Sequence, residues 1–281
     1  YSLDGSEYVD FVSDRHWGEQ AYCERLRRLC DCLVGLDADV LVLVELENEA
    51  VLHDISNFLC ADSLAGRRYR WAAFAKEEGA ALGCAVLSRY PLDALSCHGV
   101  ALRSPLLSKQ PALRPLLQLR VTKRDRSFFL LVNHWKSMSG GRESSEVWRV
   151  EQEALLGWCM KKLRGLPVVA CGDFNRDILD FAPGPDGLVE FCHRGGQGAV
   201  SARSPWLLPD GMLAGPGSYY YKDAWSRIDG FFSSGETRLE DFRAETDGPW
   251  CYRDTKVPKK YQVWSGRGYS DHLPISCTVV F

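Results

Sequence analysis

The sequence predicts an α/β fold with mixed β-sheets, formed by a single domain that spans residues 1–281. Three observations lead to this class. Helical patterns alternate with short apolar runs, a hairpin pattern occupies residues 116–132, and no linker or internal repeat divides the chain. Hairpins combined with helical crossovers indicate mixed sheets, not a purely parallel, doubly wound sheet.

Three helices are predicted from the spacing of apolar side chains. In residues 19–36 these recur at alternating intervals of four and three, as one face of an amphipathic helix requires. A second helix is predicted after Asn48, whose side chain can cap the first turn. A third is predicted for residues 145–163, because Gly165 and Pro167 then stop it. Its predicted inward stripe is Val147, Val150, Ala154 and Trp158.

Strands are predicted where short apolar runs are bounded by polar or turn residues. The runs are residues 37–44, 84–87, 116–121, 128–132, 168–171, 228–232 and 275–281. Residues 122–127 are predicted as the turn of a hairpin. Residues 183–217 are rich in Gly and Pro and lack a sustained period, so they are predicted to form irregular surface structure.

Composition excludes some classes of protein. With 46% hydrophobic residues, the 281-residue chain can bury a large core, and a net charge of −3 argues against a protein that coats nucleic acid through non-specific charge. No apolar stretch reaches the roughly 18 residues that a membrane-spanning helix needs. A monomer is expected.

The eleven cysteines form neither a dense disulfide framework nor a CxxC metal pair. Most are predicted to be small buried apolar side chains, as Cys171 is inside an apolar run. This usage favours a reducing compartment. The chain starts at Tyr1, which suggests that an upstream piece was removed, so both a cytoplasmic and an exported location stay open.

Five short segments place acidic, amide or imidazole groups at the ends of apolar runs. They are Val44-Glu45-Leu46-Glu47-Asn48, Asn133-His134-Trp135-Lys136-Ser137, Gly172-Asp173-Phe174-Asn175, Arg227-Ile228-Asp229-Gly230 and Ser270-Asp271-His272-Leu273-Pro274. Each has an ordinary structural explanation by itself, such as an ion pair, a turn or a hydrogen-bonded histidine. Together, several carboxylates at one sheet rim repel each other unless a cation lies among them. Hard divalent ions prefer such oxygen ligands, so the set favours phosphoester chemistry.

These motifs, in unbroken order over residues 19–281, resemble the endonuclease/exonuclease/phosphatase superfamily, which includes pancreatic deoxyribonuclease and the abasic-site endonucleases. The form of residues 133–137 resembles the bacterial nuclease-like members. The resemblance implies a four-layer α/β sandwich of two mixed β-sheets, face to face and flanked by helices. It also implies a first strand that ends in an asparagine. Residues 1–17 contain neither, so that strand is predicted to be missing, and Val44 stands where many members have glutamine.

The resemblance implies how the acidic residues act. Glu45 resembles the metal-ligating glutamate of the family, and Asp271 resembles the acid that assists metal binding; the expected ion is Mg²⁺ or Mn²⁺. Asp173 resembles the acid that orients or deprotonates the attacking water. Asn175 resembles the amide that holds the scissile phosphate.

It also implies the phosphate contacts. His134 and His272 resemble the phosphate-contacting pair, with Asp229 holding the imidazole of His272. Lys136 and Arg142 are candidate substrate-binding residues; for Lys136, a solvated lysine without a role is an equal alternative.

Three functions remain open. The favoured one is a metal-dependent nuclease that cleaves DNA or RNA by attack of water. The alternatives are a phosphatase or phospholipase acting on a phospholipid or another small phosphoester, and a non-catalytic binding module. Aromatic and basic residues near the last motif suit base stacking, and a packed surface loop explains them equally well. They are Trp250, Tyr252, Lys259, Lys260, Tyr261, Trp264 and Tyr269.

Overall fold

The computed structural model describes residues 16–61, 68–100, 111–138, 141–192 and 199–281. These residues form three α-helices, namely α1 (Glu19–Leu36), α2 (Glu49–Ala61) and α3 (Arg142–Lys162). Short 3₁₀ helices occupy Ile178–Asp180 and Pro185–Gly187. The prediction of a missing first strand concerns residues that lie almost entirely outside the described part of the chain.

The same residues form fifteen strands. In chain order they are β1 (Val40–Leu46), β2 (Trp71–Ala75), β3 (Gly83–Ser88), β4 (Leu92–His98), β5 (Leu116–Lys123), β6 (Arg126–His134), β7 (Val168–Asp173), β8 (Ala182–Pro183), β9 (Val189–Phe191), β10 (Val200–Ala202), β11 (Tyr219–Tyr221), β12 (Ala224–Ser226), β13 (Asp229–Ser234), β14 (Arg238–Ala244) and β15 (Ile275–Val280).

Two larger sheets carry the fold. The first has the order β1-β3-β2 and is antiparallel. The second has the order β13-β7-β6-β5-β4, and in it β6 and β7 run parallel while the other pairs are antiparallel. Three small sheets complete the structure, namely β10-β9-β8, β11-β12 and β14-β15. The predicted mixed pairing is therefore present in the second sheet, and the described strands of the first are antiparallel.

The two larger sheets face each other across an apolar core. From the first sheet this core takes side chains such as Ala73 and Val86, and from the second it takes Leu119, Leu130 and Val169. Side chains that alternate with these point away from the core, as the period of two along a strand requires. The sheets therefore form the two inner layers of the molecule.

Helices cover the outer faces. Leu41 and Leu87 of the first sheet pack against α1 and α2. On the second sheet, Leu131 and Ala170 pack into a cluster with Leu156 of α3. The result is a four-layer α/β sandwich, and the predicted fold class is confirmed.

The first two helices follow the sequence closely. Tyr22 and Leu33 of α1 are buried as predicted, and α1 ends at Asp37, which has a left-handed backbone (φ 47°) and donates its N–H to the Leu33 carbonyl at 3.2 Å. Because residue 37 closes the helix, β1 begins three residues later than predicted. The side chain of Asn48 accepts the N–H of Val51 at 3.1 Å, so the predicted cap of α2 is confirmed.

The predicted inward stripe of α3 is wrong. Val147, Val150 and Trp158 are exposed. The buried face instead carries several polar residues, namely Ser145, Arg149, Gln152 and Glu153, followed by apolar Leu156, Cys159 and Met160. Apolar spacing misleads here because the first half of α3 is buried by hydrogen bonds of Arg149 and Gln152 with the loop after β6, besides the apolar contact of Trp148 with Val100 and Leu113.

Two loop predictions need correction. The β5–β6 turn consists only of Arg124 and Asp125, because Lys123 and Arg126 already pair in the ladder. Residues 183–217 are not entirely irregular, since β9 and β10 pair there and Phe191 is fully buried in the core.

The state of the cysteines and the character of the helices match what the composition predicts. All eleven cysteines are free thiols, and Cys30, Cys84 and Cys171 are buried. Burial raises the pKa of the Cys84 thiol to about 12, so this side chain behaves as a small apolar group. No helix in the described ranges is long and apolar enough to span a bilayer.

Candidate active site

Strand register places three of the predicted residues in one row. His134, the last residue of β6, pairs with Asp173, the last residue of the parallel strand β7. Asp229, the first residue of the antiparallel strand β13, pairs with Asp173 from the other side. The sheet edge thus presents an imidazole and two carboxylates on adjacent strands.

Asp229 holds the second histidine. The Nδ1 of His272 lies 2.7 Å from Asp229 Oδ2. Buried Ser218 joins their backbones, because its hydroxyl accepts the N–H of Asp229 at 3.3 Å and its carbonyl accepts the N–H of Leu273 at 2.7 Å. Burial acts to lower the pKa of His272, but the charge of Asp229 and its hydrogen bond outweigh burial and raise this pKa to about 10. His272 is therefore an imidazolium at neutral pH in this arrangement.

Asp173 is buried and held by Asn175. Burial, and then the charge of Asp229, raise the pKa of Asp173 to about 7. The backbone N–H of Asn175 donates to Asp173 Oδ1 at 2.8 Å, and its side-chain Nδ2 donates to Asp173 Oδ2 at 2.9 Å and to the Trp135 carbonyl at 3.1 Å. Both amide hydrogens are engaged, so Asn175 orients Asp173 here. A contact from this amide to phosphate requires one of these bonds to exchange.

Glu45 reaches the row from the opposite sheet. It sits where the β1–β3 register shifts between Val44 and Leu46, and its backbone is left-handed (φ 62°). This bulge directs the carboxylate, which is 54% exposed, towards the rim. Glu45 Oε1 lies 3.9 Å from His134 Nε2, which in turn lies 3.7 Å from Asp173 Oδ2.

His134 is neutral in these surroundings. Burial, followed by the charges of Arg114 and His272, lowers the pKa of His134 well below its usual value. Its Nδ1 is buried and has no hydrogen-bond partner among the described residues. The other ring nitrogen, Nε2, is the one that lies towards Glu45 and Asp173 at the rim.

One group of side chains suits a metal ion. Atoms of Asp173, Asp229 and His272 lie within 4.8 Å of one another, but an imidazolium cannot bind a metal ion, so the two carboxylates supply the charge that would attract one. Glu45 and Asp271, the predicted metal ligands, border this group. Burial acts to raise the pKa of Asp271, but the charge of His272 and a 3.1 Å hydrogen bond from Lys260 outweigh it and lower this pKa. The role of Glu45 and Asp271 as metal ligands stays a prediction.

The two predicted substrate-binding residues differ in what the structure describes. The side chain of Arg142 lies outside the described residues. Lys136 follows His134 on a loop that α3 fixes, because its N–H donates to Gln152 Oε1 at 2.7 Å and its carbonyl accepts from Arg149 at 3.0 Å. Burial, followed by the charges of Arg114 and Arg149, lowers the pKa of Lys136.

Behind these loops lies a network of charged side chains, of which Arg149, Glu153 and Arg176 are buried. Glu146 accepts hydrogen bonds from Arg149, at 2.7 and 3.0 Å, and also from Arg176. Arg176 directly follows Asn175 and donates to Glu153 as well. The network joins α3 to the loops after β6 and β7, so it fixes the positions of Lys136 and Asn175.

We expect the variant Arg176→Met to lower the free energy of unfolding by about 3 kcal/mol, because Glu153 would then be a buried carboxylate without its partner. Burial already raises the pKa of Glu153. Its folded-state pKa therefore exceeds the unfolded value, and the loss should shrink as pH falls and the carboxyl is protonated. Urea denaturation at neutral and mildly acidic pH measures both effects.

The matched control is Arg238→Met, which breaks a 3.0 Å pair with Glu240 on the exposed surface. That change should cost less than about 0.5 kcal/mol. Equal losses in the two variants would contradict a structural role for the buried network.

Sequence reasoning missed several residues that shape this site. They are Arg114, Arg149, Gln152, Ser218 and Tyr219. The polar residues of α3 carried one usable signal, since Arg149 and Gln152 share a helical face at a spacing of three. Nothing local marks Ser218, because its role depends on residues that are distant in sequence.

Solved structures with the same fold are known. The chain is similar to D. rerio TDP2 complexed with a single-strand DNA product (18% identity, TM-score 0.59, covering 92% of this chain and 93% of that one). It is also similar to the human Nocturnin catalytic domain with bound sulfate (17%, 0.58, 92% and 86%) and to the mannosyl-6-phosphatase Bt3783 of Bacteroides thetaiotaomicron (17%, 0.54, 100% and 98%). At these identities the likeness shows the fold. The neighbours come from animals and a bacterium, so they assign no particular branch.

Sequence comparisons give the family. No curated protein sequence matches the chain. A family model described as "Endonuclease/Exonuclease/phosphatase family" matches residues 4–242. Members of this superfamily are hydrolases that act on phosphoester bonds, and they generally use divalent metals. By the extent of that match, and in agreement with its four-layer fold, the chain belongs to the endonuclease/exonuclease/phosphatase family.

Proposed function

We propose that the chain is a divalent-metal-dependent phosphoesterase that hydrolyses phosphodiester bonds in DNA or RNA. The observation that carries this proposal is the row of His134, Asp173 and Asp229, with His272 held 2.7 Å from Asp229. It combines a buried carboxylate with two imidazoles in different protonation states. Hydrolysis of a phosphodiester needs a proton acceptor for water and donors for the phosphate oxygens.

The donor chemistry of the site fits a hard divalent ion. Oxygen ligands would come from Glu45 and Asp271, the predicted metal ligands, beside the carboxylates of Asp173 and Asp229. Burial and then the charge of Asp229 raise the pKa of Asp173, and a nearby cation would offset both effects. Mg²⁺ or Mn²⁺ matches this oxygen-rich set. When bound, such an ion neutralises phosphate charge and polarises a phosphate oxygen.

The residues of the chain divide the proton chemistry. Asp173 accepts a proton from the attacking water, because it is the buried carboxylate at the centre of the row. Asn175 keeps its carboxylate oriented. His272, an imidazolium fixed by Asp229, donates to a phosphate oxygen. Neutral His134 offers Nε2, the ring nitrogen that lies nearest Glu45 and Asp173, to the same group.

Nucleic acid is the proposed substrate class because D. rerio TDP2, a structural neighbour, was solved with a single-strand DNA product. A second candidate is a small phosphoester, which the full coverage of this chain by the fold of a mannosyl-6-phosphatase favours. A non-catalytic binding module is the third outcome that an assay must distinguish.

Activity assays with and without metal test the proposal. The substrates are plasmid DNA, single-stranded DNA, RNA, a phosphoinositide panel and mannose 6-phosphate, each with Mg²⁺, with Mn²⁺ and with EDTA. Metal-dependent cleavage of nucleic acid supports a nuclease. Release of phosphate from lipid or sugar alone moves the assignment to a phosphatase. No hydrolysis of any substrate would overturn it in favour of a binding module.

The variant Asp173→Ala should reduce the rate by about 10²- to 10⁴-fold, because it removes the proposed proton acceptor. Its matched control is Asp125→Ala, an exposed aspartate in the β5–β6 turn at the opposite end of β6. The control variant should retain full activity. If Asp173→Ala also retains it, the proposed chemistry is wrong.

A further inference from the structure

Aromatic rings lead outward from His272. The ring of Tyr219 lies 4.8 Å from the His272 ring, and the two residues form an isolated β-bridge. Tyr221 stacks on Tyr219 with ring centroids 6.2 Å apart and an interplanar angle of 17°. Tyr221 is 58% exposed. The stack therefore begins at the proposed catalytic imidazole and ends in an accessible aromatic ring.

A turn with two charged residues follows the stacked tyrosines in the chain. Lys222 and Asp223 form the two-residue turn of the β11–β12 hairpin, and both have left-handed backbones, with φ of 47° and 62°. Asparagine or glycine fits such a turn at lower cost than lysine does. The Nζ of Lys222 lies 5.3 Å from the centroid of the Tyr221 ring. A lysine at a strained position, over an exposed ring next to a phosphoesterase site, suggests a role for its charge.

The hairpin is held firmly on its other side. Tyr220 points to the opposite face, where its ring meets Trp225 at 5.2 Å with an interplanar angle of 62°, and its hydroxyl donates to Asp223 Oδ1 at 3.3 Å. At the base, the N–H of Ser218 donates to the Ser226 carbonyl at 3.0 Å. Tyr219 and Tyr221 thus have a fixed frame, which reduces the entropy that a stacking ligand would lose.

We propose that Tyr219, Tyr221 and Lys222 form a subsite for a nucleotide next to the scissile phosphodiester of a single-stranded nucleic acid. This inference rests on the proposed function, because the subsite starts at His272. The base of the neighbouring nucleotide stacks on the exposed face of Tyr221, and the Lys222 ammonium binds a phosphate beyond it. Any base can stack on an aromatic ring, so the subsite selects single strands over duplexes and discriminates little between sequences.

The surroundings favour a single strand over other ligands. A base within a duplex is already stacked on its neighbours, so its face is unavailable to Tyr221. The hairpin tip carries Lys222 and Asp223, which does not suit insertion into a bilayer. The net charge of −3 limits non-specific attraction to phosphates. Affinity should therefore depend only weakly on salt, as expected for few phosphate contacts.

Kinetics of the variant Tyr221→Leu test the subsite. With a single-stranded oligonucleotide, KM should rise about tenfold at nearly unchanged kcat, since base–aromatic stacking contributes on that scale. Tyr221→Phe should restore the wild-type KM because it keeps the ring. Lys222→Asn, which tolerates the left-handed turn, should raise KM and flatten the salt dependence. With an oligonucleotide that is abasic at the neighbouring position, Tyr221→Leu should not differ from the wild type, because there is no base to stack.

The control is Tyr90→Leu, which removes another tyrosine that carries a lysine over its ring, Lys123 at 4.8 Å, far from His272. It should behave as the wild type. Equal effects of Tyr221→Leu on both substrates would show a structural role and overturn the subsite, as would an unchanged KM for the oligonucleotide.

A binding assay separates this inference from the proposed function. Fluorescence anisotropy with a labelled oligonucleotide, measured in the Asp173→Ala background, reports the subsite without turnover. Weaker binding after the added change Tyr221→Leu supports the subsite, even if the wild type fails to cleave the strand and the nuclease assignment falls. Binding that Tyr221→Leu does not weaken overturns the subsite, even if the nuclease assignment stands.

Discussion

Replacing His272 with alanine is expected to lower kcat by about 10²- to 10⁴-fold, because the change removes the charged donor that Asp229 holds at 2.7 Å. The fold should persist, since His272 is in a loop before β15. Its backbone N–H donates to the Ser270 hydroxyl, and alanine keeps that N–H. Steady-state kinetics with the substrate found in the activity assay measure the effect. Thermal unfolding of the same sample verifies that the protein is folded.

The variant Asp229→Asn should show that the two residues act as a unit. Alone, it should also slow the reaction, since an amide neither raises the pKa of His272 nor fixes the ring as a carboxylate does. The double variant should be no more than about threefold slower than the slower single variant. Multiplied effects would mean that His272 and Asp229 act independently, which the short contact between them argues against.

The variant Gly172→Ala should lower the free energy of unfolding by about 3 kcal/mol or more. A Cβ at Gly172 would lie 1.9 Å from the Asn133 carbonyl oxygen. The backbone φ of 130° is also a positive value that residues with a side chain rarely adopt. Both obstacles are backbone features of the parallel β6–β7 pair, so no side-chain movement relieves them. Chemical denaturation gives the change in free energy.

The control is Gly79→Ala. Gly79 also has a positive φ, 76°, but a Cβ there would meet nothing within 4 Å. Its cost should be only about 1 kcal/mol, the backbone strain alone. Similar losses at positions 79 and 172 would mean that strain, and not the contact with Asn133, determines the effect.

Local patterns predicted the parts of this fold that depend on local physics. The spacing of apolar residues gave α1, and Asn48 marked the start of α2 through a contact three residues away. The positions of the site residues could be predicted for the same reason, since a polar group at the end of a buried strand lies at the rim of the sheet. His134 and Asp173 are such groups, and the register pairs them.

The missed parts depend on contacts between distant residues. The buried face of α3 carries Arg149 and Gln152 because the loop after β6 offers them the carbonyl and the N–H of Lys136. No apolar period records such bonds. The left-handed backbone of Glu45 follows from a register shift against β3, and no residue next to Glu45 in the sequence indicates that shift. No sequence pattern singled out Tyr219, and only the bridge to His272 gives it a place in the site.

Because His134, Asp173 and Asp229 lie on three adjacent strands, the active site exists only when β6, β7 and β13 pair in the correct register. Sliding β13 by one residue along β7 would set Ile228 or Gly230 opposite Asp173, and every side chain of that strand would turn to the other face. Such a mispaired molecule would retain nearly the same strand content and lose the site. Circular dichroism would count it as folded, whereas specific activity would count only correctly registered molecules.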